Sequence, residues 1–164
     1  METILKILDQ MIEAHRNLIQ LGQDKKSVIV ANEVDRLAQL TQKENKLTKL
    51  IEDLEALRIQ AVHAFLRGRG LFPAGPVSIS DLAKLVVKVE DKEALMSRGQ
   101  QLVTLVRELK AIHYLNKQLI EHSLAYIDYS LDLFAAYPEQ EATYTHPMHD
   151  QSYANRNRMF DRKA

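Results

Sequence analysis

Apolar residues at the start of the chain recur at Ile4, Leu8, Met11, His15 and Leu18, in alternating steps of four and three. That spacing is the seam of a packed helix, with His15 filling one seam position. A second stripe runs through Val34, Leu37, Leu40, Leu47, Ile51, Leu54, Ala61 and Phe65, past the polar stretch TQKENK. Between them a tight turn is expected near Ala31 and Asn32, with Asn32 as the cap of the second helix and Asp35 at the positive end of its dipole. The pattern predicts a long antiparallel hairpin from about Thr3 to Phe65. GRGLFPAGP, Gly68 to Pro76, holds five Gly and Pro residues in nine and cannot continue a helix. Ser78 and Ser80 then offer N-caps for a short helix. VEDKEAL, acidic in its first turn, opens a final helix expected from Asp91 to Phe134, ~65 Å long at about 1.5 Å per residue. Gly99 inside it is a possible bend.

The final helix carries more apolar surface than one neighbouring hairpin consumes. At about 100° per residue, Ile120, Leu124, Ile127, Leu131 and Phe134 share one stripe. Ile112, Leu115, Leu119, Tyr126 and Leu133 form a second stripe, about 80° to 140° to one side. Asn116, Ser123 and Ser130 lie between the two, where small polar groups let backbones approach and supply hydrogen bonds. The extra stripe is closed by the short Ser80 helix, by a second copy of the chain, or by a partner. Tyr129 falls on the opposite, polar face among Glu121, His122, Asp128 and Asp132, and is a candidate for a separate docking contact.

Composition narrows the chemistry. Twenty-two Lys and Arg balance twenty-two Asp and Glu over 164 residues, so no global field recruits nucleic acid or an anionic surface. Cysteine is absent, which removes disulfides, thiolate metal sites and cysteine nucleophiles. The first residues carry Glu2, Asp9 and Glu13 among the apolar positions, unlike a secretory signal, and no run reaches the roughly 18 apolar residues of a membrane span. A cytoplasmic protein without membrane insertion is expected. His146 and His149 have metal-like spacing but no third ligand nearby. No nucleophile elbow, phosphate loop or zinc-protease motif is present, so neither an enzyme nor a cofactor is expected. Arg67 and Arg69 in the Gly-rich segment are weak phosphate candidates. The last 27 residues, 138–164, contain no Leu, Ile or Val and read as a flexible tail following a helical domain over 1–137.

Leu37, Leu40, Lys43, Glu44, Leu47, Leu50, Leu54, Glu55 and Arg58, followed by Asn116, Leu119, Ile120, Ser123, Leu124, Tyr126 and Ile127, resemble the pattern of FlgN-type flagellar export chaperones. The resemblance covers about residues 3 to 136. It implies an all-α, elongated hairpin packed with a long C-terminal helix in a coiled-coil-like bundle. It also implies a non-enzymatic chaperone of the hook-filament junction proteins FlgK and FlgL, which holds their C-terminal amphipathic segments until delivery to the export gate. FlhA and FliJ are the docking partners it implies. The client groove then falls on Asn116, Leu119, Ile120, Ser123, Leu124, Ile127, Leu131 and Phe134, with Tyr129 as the gate-docking candidate. A self-associating coiled-coil scaffold or homodimer without a client is the alternative.

Overall fold

The computed structural model describes residues 1–136. They are all-helical: α1 (Glu2–Val30), α2 (Val34–Arg67), the short α3 (Ile79–Leu85) and the long α4 (Val89–Ala136). By packing, the chain divides into Met1–Asp128 and Tyr129–Ala164. Of the second unit, Tyr129–Ala136, the end of α4, is described, and all but Ser130 are exposed there. The segment 138–164, expected as a tail, lies outside the described residues, as do His146 and His149.

In the first unit α1 and α2 form the antiparallel hairpin that their spacing predicts. Its turn is built differently from expectation. Asn32 does not cap α2: it adopts φ 55°, the left-handed conformation. Its N–H donates to the Ile29 carbonyl while Glu33 N–H donates to the Val28 carbonyl, both at 3.1 Å. These paired bonds satisfy the last carbonyls of α1 in a Schellman arrangement, and Asn tolerates the left-handed residue it requires better than most side chains. Asn32 therefore ends α1, and Glu33 occupies the cap position of α2 without a side-chain cap bond.

The main core lies toward the chain's Gly/Pro loop. Ile4, Leu8, Met11 and Ile12 of α1 meet Leu54, Val62 and Leu66 of α2, Leu82 and Ala83 of α3, and Leu95 and Leu102 of α4. His15, at its seam position, is buried, and its Nδ1 donates to the Met11 carbonyl at 2.7 Å. Arg58 braces the loop. It forms a bidentate pair with Glu55 (2.7 Å on both bonds) and donates to the Val77 carbonyl at 3.3 Å. The Glu55 carboxylate raises the pKa of this guanidinium against the opposing effect of burial. Ser78 rather than Ser80 caps α3, its Oγ accepting from Asp81 N–H at 3.1 Å.

α4 runs parallel to α1. Arg98 pairs with Asp9 at 2.7 Å, and Asn116 Nδ2 donates to the Gly22 carbonyl at 2.7 Å. Between these bonds the helices come close. A Cβ added at Gly22 would lie 2.6 Å from Ile112 Cγ2, so glycine is required there by approach rather than by conformation. The polar TQKENK stretch is part of the packing: Glu44 accepts from Lys25 of α1 at 2.6 Å and lies 3.2 Å from His113 Nε2 of α4. Both Lys25 and Glu44 are largely buried side chains, so the middle of the bundle is held by charge where its apolar seam is interrupted.

Two outcomes are expected. Gly22→Ala gains about 1 kcal/mol of helix propensity but overpacks a contact at a cost of about 1 to 3. Urea denaturation should show a net loss of about 1 kcal/mol, and Ile112→Ala combined with it should cost less than the sum of the two single changes. Asp81 accepts from Lys84 and from Ser78, which together hold its carboxyl below the usual range. A depressed folded pKa means that its contribution is present above the unfolded value, about 3.9, and is lost as pH falls through the folded value. Carboxyl NMR titration should show the Asp81 pKa rising in Ser78→Ala and rising further in Lys84→Met.

Candidate functional site

The parallel register of α1 and α4 brings Ile120 to Ile127 level with the α1–α2 turn. There Ile120, Ser123, Leu124 and Ile127 of α4 line a cleft with Val28 and Ile29 of α1, Asn32 and Glu33 of the turn, and Val34 and Leu37 of α2. Its volume is about 140 Å³ and its walls are almost wholly apolar. Val28 and Ile29 are buried and form its floor, while Leu124 and Ile127 remain 55% and 48% exposed. Val34, the first residue of the α2 stripe, is also exposed here rather than packed. The Glu33–Arg36 ion pair, 3.1 Å, sits at the rim. A larger cleft of about 360 Å³, between Arg16 and the Ser97–Leu105 turns of α4, brings together no titratable cluster.

The predicted groove residues are therefore distributed over different environments. Ile120, Ser123, Leu124 and Ile127 share the cleft. Leu119 is half-buried outside its lining. Asn116 is 6% exposed and is committed to α1 through Gly22, with its Oδ1 left without a hydrogen-bond partner. Leu131 and Phe134 are exposed on the second unit, and so is Tyr129, at 62%. α3 does not cover the second stripe, since its buried residues Leu82 and Ala83 pack in the core shared with Leu95 and Leu102.

Sequence reasoning missed the other wall. Val34 and Leu37 were read as hairpin seam, and nothing in their spacing says that α4 stands beside them at that level. The signal that bears on it is Gly22, the sole glycine before residue 68, which marks where a second helix comes close. Asn32, Glu33 and Ser123 are the polar residues of an otherwise aliphatic lining. Among the described residues no group of three or more His, Asp or Glu is placed to hold a metal, and no helix is long and apolar enough to cross a membrane.

The chain is 24% identical over 166 residues to the uncharacterized protein YvyG of Bacillus subtilis (strain 168), an alignment covering 99% of this chain and 98% of that protein. No solved structure matches it. The FlgN protein family matches residues 1–148, nearly the whole chain and every described helix, and the protein belongs to that family.

Proposed function

We propose that this FlgN-family protein is a flagellar export chaperone whose cleft at the α1–α2 turn receives the C-terminal amphipathic helices of the junction proteins FlgK and FlgL. The family suggests the export role and is non-enzymatic in general. The observation that carries the choice of surface is the exposed apolar pair Leu124 and Ile127 standing over a buried aliphatic floor. An amphipathic helix lays its apolar face into such a groove and anchors with residues spaced by three and four. Holding that face shields it from premature assembly.

Energetics fit a carrier rather than a permanent partner. Fully burying an aliphatic side chain contributes roughly 1.5 to 3 kcal/mol, and the cleft residues are already about half covered. Ordering a disordered client segment costs about 2 to 5 kcal/mol. The surplus from one small cleft is therefore modest, which suits release at the export gate. Leu131 and Phe134 continue the apolar stripe on the second unit and are proposed client contacts in their own right. Tyr129, exposed on that unit, is the proposed contact for the gate, with FlhA and FliJ as the docking partners.

Leu124→Asp with Ile127→Asp places two carboxylates against the aliphatic floor. Affinity for C-terminal FlgK and FlgL fragments, measured by calorimetry, should fall at least about a hundredfold, about 2.8 kcal/mol, with helicity unchanged. Unaltered affinity in the folded double variant would refute the cleft as the client site. Sedimentation of the free protein tests the scaffold alternative, which requires a stable oligomer that these substitutions disperse. Tyr129→Ala should leave client affinity intact and reduce capture of the loaded complex on the cytoplasmic domain of FlhA.

A further inference from the structure

A second exposed apolar surface lies far along α1 and α2 from the cleft, where α2 ends and α4 begins. Arg69 joins its two halves: its Nη1 donates to the Leu85 carbonyl at 2.6 Å, and its guanidinium lies 4.2 Å from the centroid of the Phe65 ring. The loop after α2 thereby meets the connection between α3 and α4. Five large apolar side chains are exposed on these two segments and the helix ends that flank them, Leu71, Phe72, Leu85, Val87 and Val89. Phe72 and Val87 stand 79% and 85% exposed, well beyond the half-covered aliphatics of the client cleft. The His63 ring, 3.1 Å from the Gly75 carbonyl, and Arg58 on the Val77 carbonyl tie down the return of the loop. Phe72 is thus held outward by an anchored loop.

Charge here departs from the neutral average of the chain. From Leu66 to Val89 four cations, Arg67, Arg69, Lys84 and Lys88, face a single carboxylate, Asp81, and Lys84 is paired with it at 2.7 Å. Arg67 and Lys88 have no acidic partner among the described residues. Glu90 and Asp91 follow at the start of α4, where they meet the positive end of its dipole.

We propose that this end of the bundle makes a peripheral contact with an anionic lipid surface, Phe72 and Val87 entering the interface while Arg67 and Lys88 meet the headgroups. Apolar side chains set among basic ones are the composition of interfacial anchors. Protruding side chains exposed this fully, beside cations without an acidic partner, complement a soft anionic medium that closes around them. The contact lies on the surface and needs no membrane-spanning helix. It would leave the cleft, at the other end of the α1–α2 hairpin, open to a client.

Vesicle flotation of the full chain tests the contact, comparing phosphatidylcholine alone with phosphatidylcholine and phosphatidylglycerol in equal parts. The expected result is partition onto the anionic vesicles that weakens as salt is raised. Phe72→Ser with Val87→Ser, and separately Arg67→Glu with Lys88→Glu, should each lower that partition at least about tenfold. All four positions are exposed, so helicity should match the wild type. Absence of partition onto anionic vesicles, or equal partition of both variants, would overturn the proposal. So would a concentration-dependent dimer that the serine variant disperses, which would assign the patch to a second copy of the chain.

Discussion

The close crossing of α1 and α4 at Gly22 fixes what the rest of the bundle can do. With no side chain at Gly22, Ile112 of α4 seats its Cγ2 only 2.6 Å from where a Cβ would stand, so the two helices fit there only around a glycine. Asn116 then donates to the Gly22 carbonyl in a buried setting, where a misplaced amide would cost more than the bond contributes. A shift of α4 by one turn would break both features at once. Register is thereby set, and register decides that Ile120, Leu124 and Ile127 arrive beside the α1–α2 turn rather than above or below it.

The Lys25–Glu44–His113 cluster acts in the same sense from the middle of the bundle. An apolar seam alone tolerates sliding, because one aliphatic layer resembles the next. A carboxylate accepting from α1 and facing an imidazole of α4 admits far fewer alternatives, since any slip leaves a largely buried charge without its partner. The polar interruption of the α2 stripe is thus part of how the fold is specified.

Period and punctuation were enough to read the hairpin, the Gly/Pro break, the short capped helix and the long last helix, because each is a local property of the chain. Ile120, Leu124 and Ile127 were legible as one stripe, with Ser123 beside it, for the same reason. The opposite wall of the cleft was not, since Val34 and Leu37 become wall residues only through a tertiary register set at Gly22. Asn116 was legible as a residue that lets helices approach, but not as one spent on α1. Asn32 illustrates a different limit: one side chain suits both the start of a helix and the left-handed end of another, and the three-residue turn selected the second role. Arg58 and Glu55 entered only as members of the family-like pattern, yet they brace the loop through Val77.

The parallel arrangement of α1 and α4 also bears on the order in which the chain folds. α1 and α2 are joined by a turn of three residues and pair as neighbours in sequence, whereas the bonds between α1 and α4 join positions 89 and 94 residues apart. Closing so long a loop carries an entropic cost that the hairpin does not meet. The hairpin is complete when α2 leaves the ribosome, while its apolar seam waits for a helix still to be synthesised. α4 is the last helix to be synthesised, so a protein whose proposed task is to cover another chain's apolar helix must first, for a time, leave its own seam uncovered.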